Sequence, residues 1–400
     1  MSAADKNGWV VSSNSEAIES KRFEAAFELC IQKTHTNIAD LAKTPKSWSW
    51  DVQGDYAKWD ENFFAISNWT SSFITGMSLL AWQETEDEYF LKQTLLLKET
   101  YHRKVFQHHA DTMHDLGFLY SLYSVALYKL TGDKAHREVG LRAAELLADR
   151  YISGGKFIRA WGRMDQPNVG TTDDGSIHVG NMAIIDCMMN LPLLFWAANE
   201  TGHKKFYDIA VNHADTTLKH FLRTDDSVYH AYRFDLETGA AARGENYCGR
   251  DVETHWARGT SWAIYGFALC HRYTRDAKYR EAALRLAKKF IANLDDEVVP
   301  VWDFKLPVGE PRLRDSSAAA IAVCGFQELL KQENNPLLLE AKTALLNRLC
   351  SDDYIDFNPP CRGVLKNGQI GRAQNAYTSW GDYYLMEALA VELRSAPTFW

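Results

Sequence analysis

An all-α fold, and within it an (α/α)6 barrel, is predicted from three observations. Helical periodicity covers most of the chain, whereas strand-like alternation is confined to short stretches such as 227–234. The predicted helices alternate between apolar on every side and amphipathic, which indicates an inner and an outer layer. The turns recur at a degenerate interval, which is typical of a helical-hairpin repeat. An open helical solenoid is the alternative, but helices that are apolar all round fit a closed ring better.

The helices are predicted as six pairs. Those with charges on one face and apolar residues on the other form an outer layer, predicted near 15–43, 87–108, 134–150, 203–222, 276–294 and 336–350. The apolar ones must be buried all round and form the inner layer, predicted near 68–83, 116–130, 182–198, 259–271, 316–330 and 376–391.

The connections alternate in length as well. Tight polar turns lead from each inner helix to the next outer one, and spacings of 46, 70, 73 and 60 residues separate Glu86, Gly132, Gly202, Arg275 and Asn335. The connections from outer to inner helices are mostly long, at about 44–67, 151–178, 223–255, 295–314 and 351–374. This alternation gathers the long loops at one end of the barrel, where functional sites are usually built.

Composition places the chain among ordinary globular proteins. Its 400 residues are 46% hydrophobic and 24% charged, which excludes disorder, and we predict one barrel domain over 1–400 with an irregular segment at 1–14. No stretch reaches the roughly 18 apolar residues of a membrane span, and the first residues lack the apolar core of a secretory signal. Seven scattered cysteines without a CxxC pair indicate free thiols rather than a zinc site. We therefore expect a cytoplasmic protein that contacts no membrane.

Charge and motifs exclude several classes of function. The net charge is −8 and no basic cluster is present, so nucleic acid is not an expected partner. The chain has no HExxH, P-loop, GxGxxG after a strand or GxSxG motif, which argues against peptidase, nucleotide and lipase chemistry. Thirteen tryptophans indicate carbohydrate, because these rings stack on sugars. We expect a monomer or weak homo-oligomer, with neither cofactor nor metal.

Two acidic residues occupy equivalent places on two predicted inner helices. Asp186 lies in the apolar run AIIDCMMNL, where an unpaired carboxylate would cost several kcal/mol unless it found a partner or stayed protonated. A partly protonated carboxyl is what a general acid requires. Asp115 lies in TMHDLGFLY. A buried pairing with an Arg or a backbone cap is the plain alternative for Asp186, and a helix N-cap is the alternative for Asp115.

The run WARGTSW supplies further candidates. At the start of a helix, Arg258 can present a bidentate fork to a carboxylate, or form a structural salt bridge. Trp256 and Trp262 can stack on a sugar or pack below it. His230 in SVYHAYRFD is as well explained by a surface position, and His114 either tunes Asp115 or points away. Lys366 and Arg372 are candidates for sulfate contacts, although solvated loop cations explain them equally.

Five strings carry a family resemblance. In chain order they are HDLGFLY, IIDCMMNLPLLFWA, YHAYRFDLETG, WARGTSWAIYGFAL and TSWGDYYLMEAL. Together they resemble the unsaturated glucuronyl hydrolases of glycoside hydrolase family 88, from about Trp69 to Ala390. That family folds as an (α/α)6 barrel. The resemblance implies that the catalytic pair is Asp115 and Asp186.

The resemblance also implies the substrate-contacting residues, which are Trp69, Trp161, His230, Trp256, Arg258 and Trp262, with His114 next to the catalytic pair. The family usually has a Gln eight positions before the Trp of WARG, where this chain has Cys248. That departure affects the hydrogen bonds to the substrate. The stretch between Trp161 and Asp186 also looks longer than usual.

The family's substrates end in a uronic acid with a C4=C5 double bond, left when a polysaccharide lyase cuts an acidic chain such as a glycosaminoglycan. This ring is an enol ether: protonation at C4 develops positive charge at C5, water adds there, and the hemiketal opens and expels the rest of the chain. The resemblance makes Asp186 the general acid and base, with Asp115 holding ring hydroxyls beside the developing cation. Arg258 and His230 would share the substrate carboxylate.

Three alternatives remain open. Unsaturated rhamnogalacturonyl hydrolases perform the same hydration on pectin fragments. Isomerases of the acylglucosamine epimerase type are also (α/α)6 barrels, but they rely on paired histidines where this chain offers acids. A noncatalytic carbohydrate-binding barrel would lose only some affinity on mutation of Asp186.

Overall fold

The computed structural model describes the chain except residues 1–12, 46, 55, 57, 60–63, 65, 67, 68, 167–178, 236, 358–360 and 371–373. Its helices are, in chain order, α1 (Ser13–Lys43), α2 (Ser71–Thr85), α3 (Glu88–Leu95), α4 (Lys98–Phe106), α5 (Leu116–Tyr120), α6 (Ala126–Thr131), α7 (Lys134–Ala148), α8 (Leu191–Thr201), α9 (Lys204–His220), α10 (Ala257–Thr274), α11 (Ala277–Ala292), α12 (Ser316–Leu330), α13 (Pro336–Leu349) and α14 (Ser379–Arg394). A π-helical turn, Ser121–Val125, joins α5 to α6, and a 3-10 turn, Ile185–Met189, precedes α8.

The strands are all short. They are β1 (Ser47–Trp48), β2 (Trp50–Asp51), β3 (Lys58–Trp59), β4 (Tyr151–Ile152), β5 (Phe157–Ile158), β6 (Met182–Ile184), β7 (Ala231–Phe234), β8 (Ala241–Glu245), β9 (Gly368–Ile370) and β10 (Gln374–Thr378). Every strand lies in a connection that leads from an outer to an inner helix.

The inner helices close into a ring. Starting from α2, each inner helix packs against the next one, through α5, α8, α10, α12 and α14, and α14 returns to α2. The outer helices α1, α3 with α4, α7, α9, α11 and α13 lie against this ring. The ring helices are buried almost throughout, as in α12, where every residue from Ser316 to Leu329 is buried. The predicted (α/α)6 barrel is confirmed, and the open solenoid is not what the chain forms.

A repeated turn explains how the inner helices end. At Glu86, Gly132, Gly202 and Arg275 the backbone is left-handed, with φ between 56° and 73°, and caps the preceding helix. The residue before each cap is a threonine, whose hydroxyl donates to the carbonyl four residues earlier and accepts the N–H two residues later. The fifth marker of the predicted repeat differs, because Asn335 is the N-cap of α13.

Three predicted helix boundaries are wrong. The inner helix predicted at 182–198 is strand β6 and a 3-10 turn before α8 begins, and Pro192 in the first turn of α8 marks the true start. The inner helix predicted from 376 begins at Ser379, because the preceding residues pair as β10. The outer helix predicted at 87–108 is interrupted between α3 and α4. Of the irregular segment predicted at 1–14, residues 1–12 lie outside the described residues, and Ser13 already begins α1.

The long loops are joined to one another around one end of the barrel. Strand β2 of the first long loop pairs with β10 of the last. Strands β6, β7 and β8 form one sheet across two neighbouring loops. A bridge joins Trp256 to Asp303, and the N–H of Ser316 donates to the carbonyl of Asn367. This rim surrounds the starts of the inner helices. None of the described helices is long and apolar enough to cross a membrane.

The turn at Gly202 provides a test of this fold. A Cβ built at Gly202 meets nothing within 4 Å, so Gly202→Ala adds only the strain of a left-handed backbone at φ 72°. We expect a loss of about 1 kcal/mol in the free energy of unfolding. Urea unfolding followed by circular dichroism measures it. Gly154→Ala is the control, since Gly154 does not have a positive φ and its Cβ would make ordinary contact; equal stability losses for the two variants would contradict the account.

Candidate active site

Asp186 lies on the 3-10 turn at the inner edge of the rim. Its neighbours Ile185, Cys187 and Met188 are fully buried, whereas its own side chain keeps 15% of its surface exposed. Burial raises the pKa of Asp186 to about 6, and the positive charge of Arg258 opposes that rise. The indole of Trp262 also faces this carboxyl and opposes the rise, without completing a hydrogen bond. The carboxyl is therefore partly protonated at mildly acidic pH.

His230 lies beside Asp186 in a fixed tautomer. The N–H of Ile185 donates to the carbonyl of His230 at 2.9 Å, where β6 meets β7. The backbone N–H of Tyr247 donates to Nδ1 of His230 at 3.1 Å, so Nδ1 is unprotonated and the neutral ring carries its proton on Nε2. That Nε2 is 3.8 Å from Oδ2 of Asp186. Burial lowers the pKa of His230 to about 3, so the ring is neutral and offers a hydrogen bond from Nε2.

Asp115 immediately precedes α5 and is almost completely buried. Its carboxylate does not cap that helix, so the plain N-cap alternative is not what the chain adopts. Oδ1 of Asp115 lies 3.4 Å from Nε2 of His114. The imidazole of His114 is fully buried and burial holds its pKa well below the usual range, which makes it a neutral neighbour of the carboxylate.

Asn190 ties the segments that carry the two aspartates. Its Oδ1 accepts from the N–H of Phe118 at 2.8 Å, and its Nδ2 donates to the carbonyl of Asp186 at 3.3 Å. A Cβ at Gly117 would lie 2.3 Å from Cα of Asn190, so the two segments approach this closely only because residue 117 is glycine. One buried amide and one glycine thus hold the segments that carry Asp115 and Asp186 close together.

Arg258 is enclosed by aromatic rings and anchored at one end. Its Nη1 donates to Oδ2 of Asp315 at 2.6 Å and to the carbonyl of Gln369 at 2.9 Å. The guanidinium carbon lies 4.8 Å from the centre of the Trp256 ring and 5.4 Å from that of Trp380. The salt bridge that was the structural alternative for Arg258 is therefore present.

The tryptophans divide into two groups. Trp69 and Trp161 are half-buried and keep surface that a sugar can reach, while Trp256 and Trp262 are buried and pack below it. The ring of Trp69 is 4.6 Å from that of Trp380. The rings of Trp161 and Trp256 lie 6.0 and 5.1 Å from His230.

The loop that carries Trp161 is held by Arg150. This fully buried guanidinium donates to the carbonyls of Thr112, Arg159, Ala160, Trp161 and Gly162, at 2.8–3.0 Å. Burial lowers the pKa of Arg150 to about 9. The arginine fixes the Trp161 loop against the turn before Asp115, and so joins two sides of the site.

The position of Cys248 is also close to Asp186. Burial and the negative charge of Asp186 raise the pKa of the Cys248 thiol to about 12, so it stays protonated and offers only a weak donor.

Lys366 donates to the carbonyl of Asp352 at 2.6 Å, and Arg372 lies outside the described residues. Within the described residues, no group of three His, Cys, Asp or Glu side chains could hold a metal ion.

The ten residues predicted as catalytic or substrate-contacting all lie on the rim loops or at the starts of inner helices. Three further residues that hold the site were missed as candidates: Arg150, Asn190 and Tyr247. Asn190 had a readable signal, since it is a polar residue in the same apolar run as Asp186. Tyr247 had none, because it acts through its backbone N–H.

Comparison with known proteins identifies the family of the chain. The chain matches the family model described as Glycosyl Hydrolase Family 88 over residues 32–387. It is 34% identical over 344 residues to the unsaturated glucuronyl hydrolase of Bacillus sp. (strain GL1), which covers 84% of this chain and 88% of that protein. It is also 34% identical over 347 residues to the unsaturated chondroitin disaccharide hydrolase of Streptococcus pneumoniae (strain ATCC BAA-255 / R6), covering 84% of each.

A solved structure gives the same result. The crystal structure of the unsaturated glucuronyl hydrolase from Bacillus sp. GL1, which is described as responsible for the degradation of glycosaminoglycan, superposes with a TM-score of 0.83 at 31% identity. The superposition covers 93% of this chain and 97% of that one. On the family model and these relatives together, the chain belongs to glycosyl hydrolase family 88.

Proposed function

We propose that this glycosidase releases a 4,5-unsaturated uronic acid from the non-reducing end of lyase-made acidic oligosaccharides, glycosaminoglycan fragments among them. The reaction is hydration of the C4=C5 enol ether. The observation that carries the proposal is the Asp186 carboxyl, whose pKa is raised to about 6 beside a neutral imidazole and a guanidinium. The names of the relatives, a glucuronyl and a chondroitin disaccharide hydrolase, support this substrate class over pectin fragments.

In this proposal Asp186 acts first as an acid and then as a base. Its proton goes to C4, and the positive charge at C5 is shared with the ring oxygen. A water molecule adds its oxygen to C5 and returns one proton to the Asp186 carboxylate. The C5 hemiketal then opens, and the hemiacetal formed at C1 expels the remaining sugar.

The other residues bind and orient. Arg258 pairs with the substrate carboxylate, and Nε2 of neutral His230 donates a hydrogen bond beside Asp186. Asp115 accepts from ring hydroxyls and stabilises the cation electrostatically. Trp69 and Trp161 supply the stacking surface. The thiol of Cys248 provides a weaker contact than the amide usual in the family.

We also propose a cytoplasmic location and a monomer or weak homo-oligomer. All seven cysteines are free thiols, most of them buried, and this supports a reducing compartment.

Asp186→Asn tests the assignment of the acid. Asparagine fits the same space but has no proton to donate, so we expect kcat to fall by about 10² to 10⁴ with the fold intact. The assay follows the loss of ultraviolet absorbance of the double bond in an unsaturated chondroitin disaccharide. Asp208→Asn, on the exposed face of α9, is the matched control. More than a tenth of wild-type activity in the Asp186 variant would assign the proton to another group.

The pH dependence of kcat/KM tests the same carboxyl in the wild-type enzyme. Asp186 must be protonated to act, and its protonated fraction falls as the pH rises through its pKa of about 6. We expect kcat/KM to decline on the alkaline side with a midpoint near that value. Initial rates at low substrate concentration across buffers of constant ionic strength measure it. A profile that stays flat through this region would contradict the assignment.

Saturated glucuronides test the chemistry. Without the C4=C5 bond there is no enol ether to protonate, and cleavage would need an oxocarbenium ion at C1 with an acid on the leaving oxygen. We therefore expect a saturated aryl glucuronide to resist hydrolysis. Turnover of the unsaturated disaccharide in deuterated water should place deuterium at C4 of the product, as read by mass spectrometry and NMR. Comparable rates for the two substrates would require Asp115 to be reconsidered as a nucleophile.

A further inference from the structure

Arg258 has one anchored edge and one open edge. Its Nη1 is occupied by Oδ2 of Asp315 at 2.6 Å and by the carbonyl of Gln369 at 2.9 Å. Among the residues that the structure describes, Nε and Nη2 of Arg258 have no hydrogen-bond partner. The Trp256 and Trp380 rings flank the guanidinium and restrict its rotation. The orientation of the open edge is therefore set by what holds Nη1.

Asp315 divides its two oxygens between two tasks. It is fully buried and is the N-cap of α12. Its Oδ1 accepts from the N–H and hydroxyl of Ser317, the N–H of Ala318 and the N–H of Gln369. Its Oδ2 is the atom that receives Arg258. The cap can therefore be kept while the contact with Arg258 is removed.

The charge of Arg258 acts on the catalytic carboxyl. It lowers the pKa of Asp186 against the effect of burial, and also that of His230. The imidazole of His230, 3.8 Å from Asp186, and the thiols of Cys187 and Cys248, whose pKa the charge of Asp186 raises, are all uncharged. Arg258 is thus the charge to which Asp186 responds, and the negative charge of Asp315 offsets part of it.

We propose that Asp315 is a positioning residue of the active site: it aims the open edge of Arg258 at the substrate carboxylate and limits the positive field that Arg258 exerts on Asp186. This inference rests on the proposed function. A buried ion pair of this kind contributes little net stability, because its desolvation cost is large, so its geometry serves orientation. Asp315 touches no substrate and acts through Arg258.

The test is a double-mutant cycle with Asp315→Asn, Arg258→Met and the double variant. Asparagine keeps an oxygen for the cap of α12, but places an amide N–H against Nη1. We expect Asp315→Asn to raise KM for an unsaturated chondroitin disaccharide about tenfold or more, since an aligned charge-assisted bond is lost. The alkaline limb of kcat/KM should move to lower pH by about half a unit, because the charge of Arg258 is no longer offset. Arg258→Met should move that limb to higher pH.

The decisive result is the double variant. If Asp315 acts through Arg258, the double variant has the same KM and the same alkaline limb of kcat/KM as the Arg258→Met enzyme. Asp276→Asn, an exposed N-cap on α11 that faces no arginine of the site, is the control for capping. Asp315→Ser, which retains a good cap without the charge, replaces Asp315→Asn if that variant does not fold.

Two results would overturn the inference while the proposed function stands. In the first, Asp315→Asn raises KM by the same factor in the wild-type enzyme and in the Arg258→Met enzyme. Asp315 would then have a structural role alone. In the second, Asp315→Asn leaves both KM and the alkaline limb of the kcat/KM profile as they are in the wild-type enzyme. A wild-type enzyme that does not consume the unsaturated disaccharide would instead contradict the proposed function, and with it this inference.

Discussion

The desolvation of one carboxyl is the constraint on which the site depends. Burial favours the protonated form of Asp186, and the imidazole of His230 and the thiols of Cys187 and Cys248 around it are uncharged. The positive charge of Arg258 opposes the effect of burial most strongly, with a smaller contribution from the Trp262 indole, and the pKa is left at about 6 instead of higher. A carboxyl poised in this way can give up a proton to carbon and take one from water near neutral pH. Asn190, Gly117 and the rim serve to keep that carboxyl in place.

The barrel provides this environment through its loops more than through its helices. Asp186 is carried by a 3-10 turn that β6 brings alongside β7, so strand pairing brings it next to His230. The N–H of Tyr247 then selects the tautomer whose proton faces the carboxyl. Asp315 and Gln369 hold Arg258. The closed ring of inner helices supplies the rigid floor to which these loops are attached.

The sequence predicted the hairpin architecture because two signals coincided, helical periodicity and a repeated turn. It failed at 182–190, where a continuous apolar run fits a strand and a helix equally well, and Pro192 was the overlooked marker. The ten candidate site residues could be named from the sequence because their side-chain chemistry is distinctive and their motifs resemble a family; their roles stay a prediction. The contacts that hold these residues in place could not be predicted: the pairing of Asp315 with Arg258 spans 57 residues of sequence, and Tyr247 acts through its backbone. Neither kind of contact leaves a pattern in the sequence.

A direct titration of Asp186 is the measurement that tests this account most closely. The enzyme labelled with ¹³C at the aspartate carboxyl carbons is followed by NMR across pH, and the resonance absent from Asp186→Asn is assigned to Asp186. The subtraction is needed because burial also raises the pKa of Asp382 to about 6. The account predicts that the assigned resonance titrates near pH 6. A midpoint near 4, the ordinary value for aspartate, would show that burial does not hold a proton on this carboxyl, and would contradict the account.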